Sequence, residues 1–176
     1  MAGVKTLADG NTRVFLLATK PADINAITVT ELTAAAPAVR NVSCNILASD
    51  FDLGPTGSET IDEKALCAKG NAQVFGLTNY GGGFTVFRYL DPTTGLPDAT
   101  DDYLWAAVKA KGTTLHLVVI ENGKLSSAAP VTGEEYRYFE VLTDDPVRGD
   151  RTGYIKYRIN GAVQNAALDK LVVAGA

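Results

Sequence analysis

At 176 residues, with 46% hydrophobic and 20% charged side chains, the chain has the length of one domain and the composition of a folded one. A net charge of −4 and a pI of about 5.0 exclude the basic surface that tight binding to a nucleic-acid backbone requires. No run of about 20 apolar residues is present to cross a bilayer, and residues 1–10 read as no signal peptide, so the chain is expected to fold in a cytoplasm and to have no membrane partner.

Residues 1–11 carry two glycines, an asparagine and little to bury, which predicts an N-terminal arm. Residues 12–17 are a short apolar run and predict the first strand. Lys20-Pro21-Ala22-Asp23 breaks the chain. Thr28 and Glu31 have the spacing of a capping box, so a helix of about two turns is expected there, ended by Pro37. Residues 39–47 alternate and predict a strand, whereas residues 50–61 are rich in turn formers and predict irregular backbone. Residues 73–79 and 84–90 flank Tyr80-Gly81-Gly82-Gly83 and read as a hairpin.

Thr100, Asp101 and Asp102 are expected to cap a helix running to about Lys111, with Leu104, Trp105 and Val108 on its packed face and Gly112 ending it. Residues 113–121 and 131–143 predict strands. Residues 144–152 form a charged turn, residues 153–159 pair with the strand before them, and Asn160-Gly161 marks another turn. Residues 160–176 are expected to be a C-terminal arm or edge segment. About seven or eight strands with a short flanking helix predict a mainly β fold, a sandwich or partly closed barrel, in a single domain over residues 1–176.

Little in the chain suggests reactive chemistry. The one histidine, His116, lies inside a strand and is expected to be packed there rather than catalytic. Gly81-Gly82-Gly83 lacks the Lys-Ser/Thr and the helix that a phosphate loop needs. Asp144, Asp145 and Asp150 sit beside Arg148 and Arg151, which favours a self-neutralising loop over a calcium site. Cys44 and Cys67 show no CxxC spacing and are expected to be buried thiols, with a bridge between them as the alternative. The reading is of no catalytic, cofactor, metal or sequence-specific nucleic-acid site, and of a protein that acts through its surfaces.

The order of features carries a resemblance. A strand at 12–17, the phrase Ala26-Ile27-Thr28-Val29-Thr30-Glu31-Leu32, the Cys44 strand, the stretch Glu59 to Cys67 and the helix Asp101 to Lys109 between strand pairs follow one another. This resembles the major tail, or tail-tube, proteins of bacteriophages with long non-contractile tails, in particular those of actinobacteria. The resemblance implies a β-sandwich-like fold whose copies form hexameric rings stacked into a hollow tube. Strands would line the lumen, with residues 73–90 and 131–159 expected there, while arms and loops bridge the rings. Implied partners are the chain itself, the tape-measure, terminator and distal tail proteins, and DNA passing without sequence-specific binding. The implied location is the virion tail, after assembly in the host cytoplasm. No appended immunoglobulin-like domain of the kind some relatives carry is seen. Open strand edges completed by a neighbour suit the same reading, as does an acidic wall that lets DNA slide. The rival readings are a monomeric or trimeric β-sandwich binding or decoration module, a tail terminator or secretion-tube relative, and a small hydrolase.

Overall fold

The structure, a computed structural model, describes residues 5–61, 66–67 and 74–175. Residues 1–4 of the expected arm, residues 62–65, residues 68–73 (with Gln73 of an expected strand) and Ala176 lie outside them. In chain order the elements are β1 (Thr12–Leu17), α1 (Val29–Leu32), β2 (Val39–Asn41), β3 (Gly54–Ile61), β4 (Val74–Gly81), β5 (Gly83–Phe87), α2 (Tyr103–Val108), β6 (Thr114–Glu121), β7 (Glu135–Thr143), β8 (Val147–Arg148) and β9 (Lys156–Leu171). Seven of the strands form one antiparallel sheet in the order β2-β1-β6-β7-β9-β5, with β8 on β9, and β3 pairs with β4 in a separate two-stranded sheet. The expected mainly β class with short flanking helices is what the described residues form.

The heart of the sheet is apolar on both faces, which explains why β6 reads as a nearly continuous apolar run. Leu115, Leu117 and Val119 point to one core, where they meet Val14, Phe139 and Val141. Val118 and Ile120 point to the other, with Phe15, Tyr136 and Tyr138. Residues 42–47 roof the first core. The Val42 amide donates to the Val14 carbonyl at 2.8 Å and the Leu47 amide to the Thr85 carbonyl at 2.9 Å, so this segment joins β1 to β5 and partly closes the sheet. Leu104 and Val108 of α2 fill the same core. Ile27 and Leu32, around α1, cover the second.

The capping box forms. Thr28 Oγ1 accepts the Glu31 amide at 3.1 Å, and Glu31 Oε2 accepts the Thr28 amide at 2.8 Å. The helix after it is a single turn rather than the expected two. Arg13, which nothing in the sequence singles out, is fully buried beneath the loop from Asn122 to Glu134. Its guanidinium lies 2.9 Å from Glu134 Oε1, donates to Asn122 Oδ1 at 2.9 Å and reaches the carbonyls of Ala128 and Ala129. Burial alone would raise the Glu134 pKa, but hydrogen bonds from Arg13, Lys124 and the Val131 amide prevail and hold it at about 2.

Several expectations are corrected. The strand expected over 39–47 stops at Asn41, because Asn41 Oδ1 accepts both the amide and the hydroxyl of Ser43 and turns the chain into a 3-10 turn over Ser43–Asn45. Cys44 is on the outside of that turn and exposed, and Cys67 is exposed too; neither is the buried thiol expected. The second helix spans six residues, without the cap expected from Thr100 to Asp102. The Asp102 carboxylate instead holds Arg88 and accepts the Tyr89 amide at 2.9 Å. Asp98 takes the amides of Thr100 and Asp101.

Candidate assembly interface

Among the described residues, β3 and β4 make a ribbon with no second layer over it. In β4 the side chains alternate, so Phe75 and Leu77 lie on one face, 79% and 84% exposed. Gly54, Pro55 and Gly57 led to the expectation of irregular backbone over 50–61, yet residues 54–61 form a strand. The pairing has irregularities at Pro55/Gly57 and Ser58/Thr60, and outside a packed sheet such breaks in the ladder are tolerated. A two-stranded ribbon is at best marginally stable alone in water.

The root of the ribbon is the glycine triplet. It is not a hairpin turn: β4 pairs with β3 and β5 with β9, so the chain changes sheets at Gly82. Gly82 has φ +116°, and a Cβ there would run into the Asp52 carbonyl oxygen. Asp52 ties the junction down. Its Oδ1 accepts the Gly83 amide at 2.6 Å and Arg158 Nη2 at 2.8 Å, and its amide donates to the Gly83 carbonyl. Arg158 also pairs with Asp50 Oδ1 at 2.9 Å. Sequence reasoning missed this clamp, because Asp50 and Asp52 lie more than a hundred positions from Arg158. Asp-Phe-Asp in a turn-rich stretch was its only local trace.

β9 presents the second interface feature. Lys156 to Asn160 pair with β5, and Gly161 to Leu171 pair with β7. The turn expected at Asn160-Gly161 is therefore the middle of a strand. Gly161 is needed there because a Cβ would strike the Val141 side chain. Residues 153–159 were expected to pair with the strand before them; instead Lys156 to Ile159 meet β5, and only the two-residue β8 comes from the preceding segment. On the side away from β7, residues 162–171 have no strand partner among the described residues. That edge is available for pairing with another chain. The end of the chain, expected as an arm or edge segment, is tied into the fold. Val172 is buried and donates to the Glu134 carbonyl, while Val173 donates to the Ile27 carbonyl and accepts the Val29 amide. Leu168 packs on the first core.

Residues weighed for chemistry stand apart from these features. His116 is half-buried, with Nδ1 2.8 Å from Tyr138 Oη and the two rings stacked. Burial lowers its pKa, the largest effect, against the pull of Glu140. Asp144 and Asp145 pair with Lys111, and Asp150 with Lys156. The acidic loop is thus neutralised by lysines from other elements, not by Arg148 and Arg151 as expected. Among the described residues no three His, Cys, Asp or Glu side chains gather into a metal site, and no helix is long and apolar enough to cross a membrane.

Over residues 1–176 the chain matches the model of a family described as phage tail tube protein. A search of curated proteins returns no match.

Proposed function

The chain belongs to the phage tail tube protein family, and from there we propose that it assembles into stacked hexameric rings whose channel passes DNA from capsid to host cell. The family is structural and non-enzymatic, a polymerising component of the virion tail. The observation that carries the finer reading is the uncovered β3–β4 ribbon. Phe75 and Leu77 stand in water on a two-stranded element that another copy can cover. The open edge of β9 supports lateral pairing within a ring, where each copy completes its neighbour.

The whole chain acts as one tail-tube domain, with residues 1–11 as an arm toward neighbouring copies and residues 160–176 as the edge segment. A net charge of −4 suits a conduit, because a wall that attracted phosphates would retain the DNA it must release. Tape-measure, terminator and distal tail proteins are the further partners of this reading, and long non-contractile tails its setting.

Sizing and negative-stain imaging of the purified protein over a range of concentrations test it. Rings and tubes of uniform width with an open channel are expected. A particle that stays at 18.5 kDa under all conditions would remove the proposal and leave a monomeric binding module in its place.

A further inference from the structure

Beyond the Phe87 end of β5, opposite the end where the ribbon is rooted, a pocket of about 510 Å³ opens, walled by Cys44, Phe87, Tyr89, Leu90 and Tyr154, with Arg88, Asp98 and Asp101 also in its lining. The Tyr154 ring meets Phe87 edge-on at 5.8 Å and is 80% exposed, so this wall stands in water as the ribbon stripe does. Most of its polar groups are already engaged, Asp98 by the amides of Thr100 and Asp101. Arg88 is held by both oxygens of Asp102, and the Tyr89 hydroxyl donates to the Cys44 carbonyl at 2.9 Å. Besides the Asp101 carboxylate, what the pocket offers a ligand is the aromatic and aliphatic surface of Phe87, Leu90 and Tyr154.

The placement of the two apolar features is the argument. Gly83 starts β5 next to the ribbon root, and Phe87 ends it at the pocket. Four residue steps of strand set the two roughly 13 Å apart. A projection at one end and a receptor at the other are not self-complementary about a two-fold axis. They join head to tail, and each joined copy still offers a free projection and a free receptor, the condition for open-ended growth. Burial of two large side chains by one receptor gives such a junction its driving force.

We propose that the ribbon of one copy seats Phe75 and Leu77 in the Phe87–Tyr154 pocket of the next. The proposal deepens the tube reading and rests on it. It has a consequence for the two cysteines. Cys44 lines the receptor, and Cys67 lies in the connection between the two ribbon strands, both exposed and unpaired. Docking carries Cys67 of one copy toward Cys44 of the next.

Full-length protein is allowed to polymerise and is treated with a short bismaleimide, with the same sample imaged by negative stain. The wild-type chain should give a ladder of covalent multimers on a denaturing gel. Cys44→Ser and Cys67→Ser chains, each alone, should give none, and mixed before polymerisation they should give dimers. Phe75→Ser combined with Leu77→Ser should cut the polymerised fraction at least about tenfold, while the monomer keeps its circular dichroism. Tubes that form without the mixed dimer, or with a Cys67–Cys67 dimer in the Cys44→Ser chain alone, overturn the docking and leave the tube reading standing. The absence of any tube or ring removes both.

Discussion

The β1–β6–β7 heart and the β3–β4 ribbon are built from the same kinds of residue and end in opposite conditions. In the heart, the apolar side chains on both faces of the sheet are packed, except for Leu142 at the end of β7. In the ribbon, Phe75 and Leu77 have no packing partner among the described residues. Hydrophobic residues in the first region are explained by folding. In the second they are explained only by association, since exposed apolar surface of this kind marks an interaction site. The difference separates what a variant does to the monomer from what it does to the polymer.

The sharpest way to break that separation is Arg13→Ala. Removing one partner from a buried ion pair typically costs about 3–5 kcal/mol, and here Glu134 would keep the Val131 amide but only the half-exposed Lys124 as a cation among the described residues. Urea unfolding of the monomer reads the loss. The pair also sets an acid limit. The folded pKa of Glu134, about 2, lies below its ordinary 4.5. Its contribution is fully present above pH 4.5 and disappears as the pH falls from there toward 2. Glu134→Gln should flatten the stability curve in that window; an unchanged acid limb would mean that the buried pair does not govern it.

Leu117→Ala follows, expected to destabilise by about 2–5 kcal/mol because it empties space at the centre of the first core. Phe75→Ser and Leu77→Ser should each shift monomer stability by less than about 0.5 kcal/mol, as surface substitutions do. If the ribbon variants cost the monomer as much as Leu117→Ala, the ribbon is packed in solution and the contrast fails.

The same contrast governs what could be read from the residues. β1 and β6 were legible almost to the residue, because strands buried on both faces carry unbroken apolar runs. The capping box was legible because Thr28 and Glu31 interact locally. What escaped was decided by distant partners. Asn160-Gly161 has the composition of a turn, but β5 and β7 on either side hold it extended, and Gly161 is there to clear Val141. Asp102 looks like a helix cap until Arg88 claims its carboxylate. Gly81-Gly82-Gly83 looked like a hairpin because composition specifies flexible backbone but not which strands pair. The interface was legible only in outline: open edges and the β4 strand were foreseen, whereas β3 fell in a stretch that glycine and proline made look irregular.

A smaller effect on the monomer is expected from deleting residues 1–11. β1 begins at Thr12, and the described part of the arm is exposed from Lys5 to Gly10, held by few hydrogen bonds such as Ser126 to the Gly10 carbonyl. The truncated chain should fold and assemble poorly. Tubes of normal length from it would assign inter-copy contact to the ribbon and the β9 edge alone.

The smallest effect belongs to His116, which sits at the margin of the heart. Its pKa is lowered by burial, so folding favours the neutral ring. Neutral, its Nδ1 can accept the Tyr138 hydroxyl. As the pH drops below the ordinary value of 6.5, the unfolded chain takes up the proton before the folded one does, so stability declines on the acid side and is intact above it. His116→Ala should remove that shallow slope and cost the monomer modestly through the lost Tyr138 contact, with tube formation at pH 7.5 unchanged. Loss of polymerisation in this variant, with the monomer still folded, would place His116 in an interface and move the boundary between the self-contained region and the one that needs a partner.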